Sequence, residues 1–153
     1  MGIREDIEKK YKKSLKERNA NLTNTIRLIK SAIKNKDIET RSSGTKEEIK
    51  DQEILVLLQN LIKQRRDSIE SFKDANRQDL TEKEQSEIQI INLFLPQQKN
   101  HKETENIIDQ LIKEQNLNSL KDMGKLMSYL KINYSGEIDM GLAGKIAKLK
   151  LSV

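Results

Sequence analysis

The residues of this chain best able to do chemistry are cations. Between Lys9 and Lys36 stand ten Lys or Arg residues and one acid, Glu17, a net charge of +9. From Ser42 to Glu87 there are eight basic and eleven acidic residues, a net of −3, and from Pro96 to the end nine and seven, a net of +2. A concentrated positive element on a nearly balanced body is the electrostatic footprint of a polyanion binder. The candidate phosphate contacts are Lys9, Lys10, Lys12, Lys13, Lys16, Arg18, Arg27, Lys30 and Lys34, with Lys121, Lys125, Lys131, Lys145 and Lys148 as counterparts later in the chain. A plainer reading stands beside this one. The chain holds 22 Lys against 7 Arg, so some lysines belong to a merely solvated face. The arginines are more telling, because a planar fork of donors suits phosphate and carboxylate in a way an ammonium does not.

Other chemistries find less support. With no Cys and one His, His101, the chain has no disulfide, no thiol nucleophile and no Cys/His metal cage. His101 reads as a surface residue. Glu84 and Glu87 form a carboxylate pair without the second pair or the His that a metal site would require. Met123, Met127 and Met140 are spaced as core residues. No phosphate-binding glycine loop, dinucleotide fingerprint or nucleophile elbow occurs. No metal, cofactor or catalytic residue is therefore expected. Arg65 and Arg66 are the oddity, since seven-residue spacing sets Arg65 between Leu58 and Phe72, and Arg66 between Ile62 and Ile69. A charge on that side should be paired or reach out to water. Glu84 and Glu87 on a neighbouring antiparallel helix are the natural partners, and a phosphate grip is the other reading.

The elements that must position these residues are helices. The 153 residues fit one ordinary domain or two small helical ones. Charged residues make up 35%, aromatics 3%, and there is one Pro, a composition that disfavours β structure. Ile3, Ile7, Tyr11 and Leu15 recur every four residues and predict a first helix. Leu22, Ile26, Ile29 and Ile33 mark a second, capped by Asn19 or Asn21. Thr40–Thr45 reads as a loop. A long third helix opens at Thr45 with Glu48 or at Asp51 and runs to Asp74. A fourth begins at a Thr81–Glu84 capping box and ends at Pro96, the best domain boundary. Asn100 with Glu103, Ser119 with Asp122, and Asp139 open three more. The expectation is an all-α protein: a four-helix part over 1–95 and a smaller three-helix part over 96–153. The longest apolar run, Ile54–Leu58, is five residues, far short of the roughly 20 a membrane span requires. No signal segment is seen in Met1–Asp6, and a cytoplasmic, membrane-free protein is expected.

Thr25–Ile33 (Thr-Ile-Arg-Leu-Ile-Lys-Ser-Ala-Ile), Lys63–Ile69 with Phe72, Arg77–Leu80, Glu84–Glu87, Phe94-Leu95-Pro96 and Asp122–Met127, followed by Gly136, Asp139 and Leu151, together resemble the YqeY-like proteins over nearly the whole chain. Arg27, Arg65, Arg66 and Arg77 fall within the similar segments. That family is grouped with the B subunit of the tRNA-dependent amidotransferase, which carries such a module as its C-terminal tail. A related module is appended to some glutaminyl-tRNA synthetases. The resemblance implies the same helical division and a role in holding tRNA, with kinase and amidase chemistry lying elsewhere. One departure stands out: Met140 follows Asp139 where the family usually has Gly or Pro, and Gly141 comes one position later.

Taken together, these features predict a non-catalytic module that binds tRNA or another structured RNA through shape and phosphate spacing. An amidotransferase or aminoacyl-tRNA synthetase is the implied protein partner. One alternative is an accessory module that docks on such an enzyme and leaves the RNA to it. A second is a carbon–nitrogen ligase related to glutamine amidotransferases, for which neither an ammonia-releasing nor a nucleotide site is visible.

Overall fold

The computed structural model describes residues 2–44, 47–134 and 136–152. Among them are seven α-helices and no strand: α1 (Ile3–Lys16), α2 (Ala20–Ser42), α3 (Asp51–Asp74), α4 (Gln78–Asn92), α5 (His101–Glu114), α6 (Met123–Asn133) and α7 (Met140–Leu151). A 3-10 turn, Leu120–Asp122, leads into α6. The chain divides into two compact units, Met1–Leu95 and Pro96–Val153.

In the first unit Ile7 of α1, Ile26, Ile29 and Ile33 of α2, Ile54, Leu58 and Ile62 of α3 and Ile91 of α4 make one core, joined by Ile49 ahead of α3. Each such side chain contributes about 1.5–3 kcal/mol by leaving water. The face of α1 differs from the expected one. Ser14 is fully buried while Leu15 is 46% exposed. A four-residue step overshoots a helical turn by about 40°, so Leu15 has rotated off the stripe that Ile3 and Ile7 begin. The buried Ser14 hydroxyl donates to the Tyr11 carbonyl at 2.7 Å and accepts from Thr23 at 2.8 Å, which fastens α1 to the start of α2.

Helix boundaries in this unit meet expectation at the starts of α2 and α3 and depart from it in three other places. Asn19 caps α2 by accepting from the Leu22 N–H at 3.1 Å. This helix then runs through Thr40 and Arg41 to Ser42, past the Thr40 at which a loop was expected to begin. Next, α3 starts at Asp51, and the Thr45 cap lies outside the described residues. Thr81 does not cap α4. The helix begins three residues earlier at Gln78, and Thr81 is buried inside it, 1% exposed. The cause is the close of α3, where the Arg77 N–H reaches back to Phe72 at 2.8 Å and leaves the chain already turned into α4. Finally, α4 ends at Asn92, before Pro96, and tightens through i→i−3 bonds at Leu93, Phe94 and Leu95.

One polar knot ties the first unit together. The Arg4 guanidinium grips Asp37 with two bonds of 2.8 and 3.1 Å and donates to the Ile49 carbonyl at 3.0 Å. Asp37 also accepts from the Ile49 N–H at 2.9 Å. This joins the start of α1, the last turns of α2 and the segment entering α3. Asp37 is 7% exposed, and the Arg4 bond, helped by the Ile49 N–H, holds its carboxyl below the ordinary carboxylate range.

The second unit packs α5, α6 and α7 around Ile108, Leu111, Leu126, Leu130, Ile138, Ala143, Ile146, Ala147 and Leu151, with Met123, Met127 and Met140 against them. Asn100 and Glu103 make a full capping box at α5, with bonds of 2.8 and 3.2 Å. Asp122 accepts from the Asn118 and Ser119 N–H groups, but the turn it closes is the 3-10 turn rather than α6 itself. Asp139 caps α7 by accepting from Gly141 at 2.9 Å and Leu142 at 3.3 Å. Met140 after Asp139 therefore leaves that cap intact. After Pro96 the chain is held by Lys99, whose N–H donates to the Glu137 carbonyl at 2.7 Å.

Candidate nucleic-acid interface

The lysines of α1 are sorted by the helix that carries them. Lys9, Lys12, Lys13 and Lys16 stand at i, i+3, i+4 and i+7, a spacing that puts them on one face. All four are exposed, opposite the stripe that buries Ile7 and Ser14. Lys13 lies 3.9 Å from Glu17, an exposed pair of small value. Lys9, Lys12 and Lys16 make no ion pair with a described residue. Lys10 departs from the expected set: it falls on the edge next to the buried stripe and is half-buried.

Along α2, Arg27, Lys30 and Lys34 line the flank that meets α1. Lys30 is not available as expected. Its ammonium contacts Glu8 at 2.8 Å and sits over the Tyr11 ring, 4.2 Å from the centroid. Arg27 donates through Nε to the Tyr11 hydroxyl at 3.2 Å, which leaves its two terminal amino groups for an outside acceptor. Lys34 is exposed at the rim of a shallow groove of about 150 Å³ between α1 and α2, whose other walls are Arg4, Ile7, Glu8, Lys30, Ile33 and Asp37. Glu8 stands between the two basic strips. The Lys30 bond, with Lys12 nearby, holds its carboxyl below the usual range. Arg18 is exposed in the turn beyond α1.

In the second unit, Lys121 is exposed on the 3-10 turn, Lys125 and Lys131 on α6, and Lys145 and Lys148 on α7. Lys145 and Lys148 share a face with Gly141, at i+4 and i+7 from it. Lys125 also borders a small groove of about 40 Å³ lined by Leu111, Leu117 and Tyr129. Lys150, absent from the expected set, is engaged internally: it forks across Glu105 at 3.0 Å and Asp109 at 3.1 Å. Two acids four apart on α5 were the only available hint of that cation.

The arginine pair separates. Arg65 Nε donates to Glu87 at 2.8 Å and its terminal nitrogen to the Leu61 carbonyl at 3.0 Å, with both side chains almost buried. Arg66 is exposed rather than on the apolar side, because one further residue turns it about 100° away. Glu84 is half-buried one turn before Glu87. His101 is exposed, 3.9 Å from Glu105. Among the described residues no group of three or more His, Asp or Glu side chains converges as a metal site would require. No helix among them is long and apolar enough to cross a membrane.

Sequence comparison places the chain among known proteins. It is 36% identical over 91 residues to an uncharacterized protein of Schizosaccharomyces pombe, covering 60% of this chain and 70% of that one. Two further relatives are named altered inheritance of mitochondria protein 41, mitochondrial. The one from Lachancea thermotolerans is 39% identical over 92 residues, covering 60% of this chain and 47% of that one. The one from Pyrenophora tritici-repentis is 31% identical over 133 residues, covering 82% and 69%. The chain thus spans about half the length of the Lachancea relative. The family model described as Yqey-like protein matches residues 4–151, from the arginine that anchors α1 to the last residue of α7, and the chain belongs to that family.

Proposed function

We propose that this protein is a non-catalytic module that binds tRNA or a similarly folded RNA. The observation that carries the reading is the face of α1 on which Lys9, Lys12, Lys13 and Lys16 stand together, exposed and set against a buried stripe. Four ammonium groups in line along about 10 Å of helix match the spacing of phosphates better than any single small anion. Arg27 and Lys34 extend the surface onto α2, beyond the Glu8–Lys30 pair. A four-helix part supplies this surface, and a smaller three-helix part supplies a second one from Lys121, Lys125, Lys131, Lys145 and Lys148. The contacts are to backbone phosphates, so shape and phosphate spacing set the preference rather than base identity. The compartment that goes with this reading is the cytoplasm, and the protein partner an amidotransferase or aminoacyl-tRNA synthetase that uses the same tRNA.

The test is a binding titration of the full chain against a folded tRNA transcript and against an unstructured oligonucleotide of equal length. Preference for the transcript at 0.1 M salt supports the reading, and equal affinity for both removes the shape component. A second reading has its own observation. Ile132 of α6 and Leu149 of α7 are each 70% exposed, which suits contact with a protein. Recovery of a synthetase or amidotransferase by the tagged chain after nuclease treatment, with no RNA binding by the pure chain, would favour this docking role.

A further inference from the structure

Three helices of this protein end alike. After α1, α3 and α5 the chain turns through a residue of positive φ: Arg18 at 54°, Asn76 at 57° and Asn116 at 51°. In each case the next N–H reaches back five residues, from Asn19 to Ser14 at 3.0 Å, from Arg77 to Phe72 at 2.8 Å and from Leu117 to Ile112 at 3.0 Å. This close satisfies carbonyls at the helix end and favours Gly, with Asn the usual substitute, because the left-handed region crowds any larger side chain. Two of the three sites obey with Asn, and the first carries Arg.

No contact among the described residues accounts for that choice. The Arg18 side chain is exposed and makes no hydrogen bond or ion pair with a described residue. Its neighbour Glu17 faces Lys13 instead. A cation near a helix C-terminus is favourable in itself, but Lys13 and Lys16 already occupy the last turn of α1. Arg18 thus combines a backbone conformation that its side chain does not favour with an exposed guanidinium that no described residue engages.

We propose that Arg18 is a dedicated phosphate contact, its forked guanidinium extending the lysine face of α1 around the α1–α2 turn. This inference rests on the RNA-binding reading and sets Arg18 apart from its other candidate cations, as the one that stands where the backbone favours Gly or Asn. The fork allows two parallel bonds to one phosphate, which a lysine does not reproduce.

The experiment compares the full wild-type chain with Arg18→Asn and Arg18→Lys, measuring the melting temperature alone and the affinity for a tRNA transcript across a salt series. Arg18→Asn should melt at the wild-type temperature or about 1–3 °C higher. It should bind about three- to tenfold more weakly and flatten the salt slope by about one. Arg18→Lys should keep the slope and recover only part of the affinity. A lower melting temperature for Arg18→Asn, whatever its binding, would assign the arginine to the fold and overturn the proposal, as would wild-type affinity. If Lys12, Lys13 and Lys16 prove essential while Arg18→Asn binds normally, this inference alone falls. If the wild-type chain binds no tRNA, the functional reading falls and takes this inference with it.

Discussion

At the scale of single residues, the acids matter as much as the cations. Asp37 is buried and held by Arg4 and the Ile49 N–H. Replacing it with Ala leaves a guanidinium and a backbone donor without their acceptor, and should lower stability by about 1.5–3 kcal/mol in a denaturant titration. Its depressed carboxyl sets the sign of a pH effect. The pair contributes fully above about 3.9, the value expected in the unfolded chain. That contribution is lost as pH falls through the lower folded-state value. The wild-type chain should therefore lose more stability than Asp37→Asn on going from pH 5 to pH 2. Glu8 acts on binding instead, because it holds Lys30 between the basic strips. Glu8→Gln should release Lys30 and strengthen tRNA binding by roughly two- to fivefold, with little change in melting temperature. Weaker binding by this variant would show that the Glu8–Lys30 pair shapes the surface rather than competing with phosphate. Neither acid was legible in the sequence. Their partners lie 22 and 33 positions away, and helical spacing reports only neighbours on the same helix.

At the scale of elements, the helices were largely legible because their apolar stripes are strong, and their ends were less so. The Asn19, Asn100 and Asp139 caps stand where short polar side chains precede an apolar stripe. Thr81 looked equally good as a cap, yet the close of α3 had already fixed the entry into α4 and carried Thr81 into the helix. Local chemistry could not reveal this, since the deciding bond belongs to the preceding helix. The Arg65–Glu87 pair between α3 and α4 was readable as charges placed on an apolar side, whereas Arg66, its neighbour, turned outward. Removing one partner of an almost buried pair is costly, so Glu87→Ala should destabilise by about 3 kcal/mol or more. The double variant Arg65→Met, Glu87→Leu should recover most of that loss, as thermal melting would show. If the double variant were as unstable as Glu87→Ala, the pair would be holding the α3–α4 register beyond its charge balance.

At the scale of the whole molecule, a net charge of +5 says less than where the charge stands. The basic N-terminal run was visible in composition, and the spacing of Lys9, Lys12, Lys13 and Lys16 already set them on one helix face, but which cations would be engaged inside the fold was not. Folding sorts them: four onto one face of α1, Lys10 toward the core edge and Lys30 against Glu8 and Tyr11. Under the proposed function, this sorted face carries the binding. The most direct test measures tRNA affinity of the full chain against salt concentration for wild type, for the triple variant Lys12→Glu, Lys13→Glu, Lys16→Glu, and for Glu84→Lys as a charge-altered control on α4. The expected result is steep salt dependence for wild type, a loss of more than tenfold with a slope flatter by about three for the triple variant, and near wild-type binding by the control. Equal affinity and equal slopes for wild type and the triple variant would contradict the claim.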